Sequence, residues 1–183
     1  MWPCPSPRHG SNAKGIVRTK PVTYRVPSTV SQVKVLVLRD ASIIPSEGDT
    51  PEKISNFMVE LWKTDDEFDP SVESLWVVFV NARRRITGCQ KISDGTHNTL
   101  LVAPGEIFKP AIMLSAAAIV LVHNHPSGDN SPSEADIKIT RDMIRAGQLL
   151  KIEVLDHVIV IPEQTALVST RRYSSLRELG CFY

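Results

Sequence analysis

The stretch Leu75–Val80 reads Leu-Trp-Val-Val-Phe-Val, with no polar residue on either side of a strand's two-residue alternation. A strand of this kind has to be covered on both faces, which excludes a sheet with one side in water. Ala118–Val122 is a second fully apolar, β-rich run, and it leads directly into His123. Two such strands, separated by segments of helical period, predict an α/β (α+β) domain. One mixed β-sheet is flanked by helices.

The remaining elements follow from local signals. Thr50, Pro51 and Glu52 have the pattern of an N-cap with proline at the first helical position. Ile54, Phe57, Met58, Leu61 and Trp62 then recur at helical spacing, predicting a helix to about Lys63. An acidic loop, Thr64–Ser71, precedes the first buried strand. Asn81–Arg85 is expected as a charged turn, with Ile86–Ile92 as the returning strand of a hairpin. Leu100–Val102 is expected as a short strand, and Phe108–Ser115 as a helix with Pro110 in its first turn. Pro132-Ser133 opens a helix to about Leu150, and Val154–Ile161 is a further strand. Upstream, Val33–Leu38 is the first β-branched run.

Charge and composition bound the ends of the chain. Of 183 residues, 42% are hydrophobic, enough for a packed core. No apolar run approaches the roughly 18 residues that a membrane helix needs. Pro3, Pro5 and Pro7 stand where a secretory signal would be apolar. Cys4, Cys89 and Cys181 are too few and too scattered for a disulfide framework or a cysteine zinc site, so a reducing cytoplasm is expected. The net charge of +1 hides a basic beginning: residues 1–39 contain seven Lys or Arg and no acid. Residues 1–20, rich in Pro, Ser, Gly and Asn, are expected to be a disordered basic arm. That arm, with Arg83, Arg84 and Arg85 on the hairpin turn, could make weak nucleic-acid contact. Such charge runs are more often solvated. Residues 21–72 are expected to pack on a main domain spanning 73–183.

The chemistry is concentrated in one stretch, His123-Asn124-His125-Pro126-Ser127-Gly128-Asp129, followed by Ser133 and Asp136. Two histidines at i and i+2, past a strand end, converge if the backbone turns, and Pro126 and Gly128 supply a turn. Ser133 suits a helix N-cap, which puts Asp136 at the third helical position, facing back toward the histidines. Two imidazoles, one carboxylate and an open position make the ligand set of a catalytic zinc site. Each part alone has a plainer reading. A single His-x-His pair is usually not a metal site, and Asp136 alone is a capping carboxylate.

The pattern His-x-His-Pro, six residues, Ser, two residues, Asp resembles the JAMM (JAB/MPN+) metalloprotease motif at every position. The fuller string, with Gly95-Thr96, Phe108-Lys109, Ala116-Ala117-Ala118, Thr140 and Leu155-Asp156-His157, is similar to the RadC branch over about residues 73–161. The resemblance implies an MPN/JAB-type fold, with Zn2+ held by His123, His125 and Asp136. It also implies that Ser133 stabilises a tetrahedral intermediate and that a glutamate activates zinc-bound water. Glu73 fits that glutamate, because it opens the apolar strand as the RadC glutamate does. Glu106 is the rival, but Pro104-Gly105-Glu106-Ile107-Phe108 looks like a RadC loop before a helix. Ala103 and Gly105 depart from the His and Arg usual in RadC proteins. His157 could be a fourth ligand, although its apolar strand favours a hydrogen-bonded supporting histidine. His97 reads as a loop residue. No helix-hairpin-helix module precedes residue 73, so the chain resembles a short RadC form. The implied activity is zinc-dependent hydrolysis of peptide or isopeptide bonds in a peptide or protein substrate. The alternative is a DNA-associated accessory protein, of DNA repair or mobile-element type, whose MPN domain is a binding scaffold.

Overall fold

A computed structural model describes residues 47–94, 102–162 and 171–182, with the backbone of four short strands nearer the N-terminus. The chain divides into two units, residues 1–44 and 45–183.

In the first unit, strand β1 (Ile16–Arg18) pairs antiparallel with β4 (Leu38–Asp40), and β2 (Val22–Tyr24) pairs with β3 (Val33–Val35). The single strand expected at Val33–Leu38 is thus two strands with different partners. The β-branched pair Ile16-Val17 forms a strand inside the stretch expected to be disordered. Residues 1–15 and 19–21 lie outside the described residues.

The second unit is built on a five-stranded sheet of order β6-β5-β7-β8-β9. Strand β5 (Ser74–Val80) lies between β6 (Ile86–Asp94) and β7 (Ala118–Asn124), antiparallel to both. Strand β7 runs parallel to β8 (Glu153–Val160), and β8 is capped by the short β9 (Tyr173–Ser175). Every residue of β5 and of β7 is buried. Their two faces separate by parity. Leu75, Val77, Phe79, Ile119 and Leu121 pack with helices α2 (Pro104–Met113) and α3 (Glu134–Leu150), through Ile107, Phe108, Ile139 and Met143. Trp76, Val78, Val80, Val120 and Val122 pack with helix α1 (Pro51–Thr64), through Ile54, Met58 and Trp62. Coverage on both sides is why neither strand shows polar alternation.

The helix starts follow their caps. Thr50 Oγ1 accepts from the Lys53 N–H at 3.3 Å, with Pro51 at the first position of α1. Helix α2 begins at Pro104 rather than Phe108, so Pro110 is in its interior and not in its first turn. Proline there removes one helical donor, but Ile107, Phe108 and Ala111 on the buried face hold the helix through it. The strand expected at Leu100–Val102 lies mostly outside the described residues, and Val102 itself is irregular. No helix among the described residues is long and apolar enough to cross a membrane.

This topology brings three chain ends together. The start of β5, the end of β7 and, through the β7–α3–β8 crossover, the start of α3 meet at one end of the sheet's central strands. Ligand sites in α/β sheets lie at such carboxyl ends of parallel strands.

Candidate metal centre

His123 continues the parity of Ile119 and Leu121, so its ring points to the α3 side of the sheet, where it is fully buried. Strand register sets Leu75 opposite His123, which carries Glu73, the residue just before β5, to the same end of the sheet. Pro126 and Gly128 form the expected turn, with the Gly128 N–H bonded to the His125 carbonyl at 3.2 Å and Gly128 at φ 78°. The His125 N–H bonds to the Val160 carbonyl, fixing the loop to the end of β8.

At the start of α3, Ser133 and Asp136 close a reciprocal cap. The Ser133 N–H and Oγ–H donate to Asp136 Oδ2 at 2.8 and 2.6 Å, and the Asp136 N–H donates to Ser133 Oγ at 3.2 Å. Asp136 is thereby aimed at the histidines, with 1% of its surface exposed. Its Oδ1 lies 3.4 Å from His123 Nε2, and its Oδ2 3.9 Å from His125 Nε2. The two histidine Nε2 atoms are 2.8 Å apart. One ligand atom from each of Glu73, His123, His125 and Asp136 lies within 4.8 Å of the other three. Glu73 and His125 are the less buried pair and mark the open side.

The chemistry of these donors fits a divalent cation. His125 Nδ1 is 2.6 Å from the Asp129 carbonyl oxygen, which can only accept. In the neutral ring the proton is therefore on Nδ1, and the Nε2 lone pair faces the cluster. Burial, first, and the neighbouring rings of His157 and His125 hold the His123 imidazole well below its usual pKa, so it is neutral. Asp136, whose Oδ2 is already hydrogen-bonded to Ser133, turns its Oδ1 toward His123 Nε2, and with the His125 Nε2 lone pair these atoms converge on one point, an arrangement that suits a cation. Two histidines with carboxylate are a zinc donor set, and tetrahedral zinc sets neighbouring ligand atoms about 3.3–3.6 Å apart. The 3.4 Å His123–Asp136 pair lies in that range, while the two Nε2 atoms at 2.8 Å are closer and His125 Nε2–Asp136 Oδ2 at 3.9 Å is wider.

The other residues singled out in the sequence fall elsewhere. Glu106 Oε2 accepts from the Ala103 N–H at 3.2 Å and caps its own helix. His157 is not in the four-residue group; it stands behind His123, with its Nε2 2.8 Å from His123 Nδ1. His97 lies outside the described residues. Arg83, Arg84 and Arg85 stand on the β5–β6 turn, at the other end of β5 from Glu73 and roughly 20 Å away by strand rise. Arg84 pairs with Glu153 there.

Sequence reasoning missed Asn124. Fully buried between the two histidines, it accepts from the Ser74 N–H through Oδ1 and donates to the Val72 carbonyl through Nδ2, both at 2.9 Å. The signal was present, as a lone amide closing an otherwise apolar strand.

A mixed sheet with helices on both faces, and a His/His/Asp/Glu cluster where β5, β7 and α3 meet, has the architecture of a JAB/MPN-type domain. Residues 49–180 match the RadC-like JAB domain, and the chain belongs to this family. It is 38% identical over 133 residues to a UPF0758 protein of Desulforudis audaxviator, covering 73% of this chain and 52% of that protein. It is 43% identical over 111 residues to UPF0758 protein TTE0897 of Caldanaerobacter subterraneus, covering 61% and 46%. A UPF0758 protein of Chlorobaculum parvum is 50% identical over 92 residues, covering 50% and 41%. The chain spans about half the length of these curated relatives, whose names state no reaction.

Proposed function

We propose that this chain is a zinc-dependent hydrolase of peptide or isopeptide bonds in which Glu73 is the general acid/base. The observation that carries this reading is the convergence of Glu73 on His123, His125 and Asp136 from a strand 50 residues away. His123 Nε2, His125 Nε2 and the Asp136 carboxylate would hold the ion. When bound, zinc supplies Lewis acidity and lowers the pKa of water toward about 7. Glu73, on the open side, accepts a proton from the attacking water at a carboxylate oxygen and returns it to the leaving amine. Asn124 supports that role by holding the peptide groups on either side of Glu73. Ser133 spends its hydroxyl proton on Asp136 Oδ2, so its first role is to aim that ligand. Donation to an oxyanion requires the hydroxyl to turn away from Asp136. The free thiols of Cys89 and Cys181 suit a reducing cytoplasm.

Metal content tests the reading. Protein purified from zinc-supplemented cells should carry one zinc per chain and cleave members of a peptide and isopeptide library in a chelator-sensitive way. The His123→Ala/His125→Ala protein should carry none. Stoichiometric zinc in that double variant, or a metal-free wild type after zinc addition, would contradict it.

A further inference from the structure

Behind the candidate metal centre, two buried polar side chains form a line to His123 that zinc chemistry alone does not require. Thr140, on the buried face of α3, and His157, in the middle of β8, are each fully buried. Thr140 Oγ1 lies 2.5 Å from the Asp136 carbonyl oxygen and 2.6 Å from His157 Nδ1. His157 Nε2 lies 2.8 Å from His123 Nδ1.

Proton counting gives this line a direction. The Asp136 carbonyl cannot donate, so the short contact to it is made by the Thr140 hydroxyl proton. Thr140 Oγ1 is then the acceptor for His157 Nδ1–H. A neutral His157 with its proton on Nδ1 has a lone pair on Nε2, and that lone pair accepts from His123 Nδ1–H. Neutral His123 is left with its own lone pair on Nε2, toward His125 and Asp136. Reversing every bond would put the proton on His123 Nε2. That proton could bond to the His125 Nε2 lone pair at 2.8 Å, but the Thr140 and Asp136 oxygens would be left 2.5 Å apart with no proton between them. The first arrangement instead leaves two Nε2 lone pairs facing each other at 2.8 Å, a longer contact and one that lies where a cation would sit.

We propose that Thr140 and His157 are positioning residues that hold His123 in the tautomer a metal ligand needs, anchored on the carbonyl of the other ligand, Asp136. The ligands are thus coupled twice, across the cluster and through the relay behind it. This rests on the proposed zinc site for its purpose, but the tautomers exist with or without metal. Partners of this kind behind a ligand histidine typically change metal affinity by about 10–100-fold.

The test uses the full chain with Thr140→Val, which keeps shape and removes the hydroxyl, and Thr140→Ser, which restores it. In metal-free wild type, 15N NMR of the histidine rings should find His123 and His157 both protonated on Nδ1. In Thr140→Val both protons should move to Nε2, and zinc affinity by chelator competition should fall about 10–100-fold. Thr140→Ser should restore both readouts. Should Thr140→Val not fold, His157→Gln, whose amide can accept from His123 and donate to Thr140, should bind zinc within a few-fold of wild type, whereas His157→Leu should not. Nε2-protonated His123 in metal-free wild type, or unchanged zinc affinity in folded Thr140→Val or His157→Leu, would overturn the relay. A wild type that binds no zinc but shows the Nδ1 tautomers would instead count against the zinc site and leave the relay standing.

Discussion

Asn124 holds Glu73 without needing to touch its carboxylate: its amide accepts from the N–H after Glu73 and donates to the carbonyl before it. The segment entering β5 is thereby tied to the end of β7, one residue from each of His123 and His125. Replacing Asn124 by Ala leaves a buried N–H and a carbonyl without these partners, at about 1–3 kcal/mol each. Because the Val72 carbonyl is only part-buried and water can replace its partner, urea unfolding of Asn124→Ala should show a loss in the lower part of that sum, about 2–4 kcal/mol. Stability equal to wild type would mean that the bracket holds nothing.

Gly147 sets two effects against each other. Alanine is the better helix former by about 0.8–1.0 kcal/mol. A Cβ there, however, would run into the Ile152 carbonyl oxygen and sit 3.3 Å from Phe108 Cζ and Val154 Cγ2. That carbonyl belongs to the tight connection from α3 to β8 and has little room to give, so the clash wins. Gly147→Ala should lower stability by about 1–2 kcal/mol, measured as a lower melting temperature. A higher one would contradict this packing.

Acid should destabilise the metal-free protein through its buried rings. Burial is the main cause that pulls both His123 and His157 below the ordinary imidazole pKa. The folded state therefore favours the neutral rings, and the unfolded chain takes up protons first as pH falls. Their contribution is complete above about pH 6.5 and declines below it. In chelator, the urea midpoint should fall between pH 7.5 and 5, and less steeply for His157→Gln. Equal slopes would contradict the assignment of this pH dependence to His157.

What could be read from sequence was local. Ser133 and Asp136 close their cap across three residues, and Pro126 and Gly128 mark the turn after His125, so the chain itself fixes that half of the site. Glu73 is different. Its neighbourhood, an apolar strand rather than the helix start around Glu106, separates the two glutamates only by likeness to the family, and it reaches the histidines because β5 pairs antiparallel with β7. The family resemblance, not periodicity, pointed to it. Thr140 and His157 join through the packing of α3 on β8, and a tautomer leaves no trace in residue order. Pro110 misled because its missing N–H usually marks a first turn, whereas burial carries α2 through it. Strand β9, three residues long, offers too short a pattern to detect.

The most direct test compares wild type with Glu73→Gln at equal zinc loading, on the same peptide and isopeptide library. The variant keeps the size of the side chain but cannot take up the proton. It should bind zinc within a few-fold of wild type while hydrolysis falls by roughly 10²–10⁴-fold. A Glu73→Gln protein that cleaves as fast as wild type at the same zinc content would contradict the role given to Glu73, and with it the proposed mechanism.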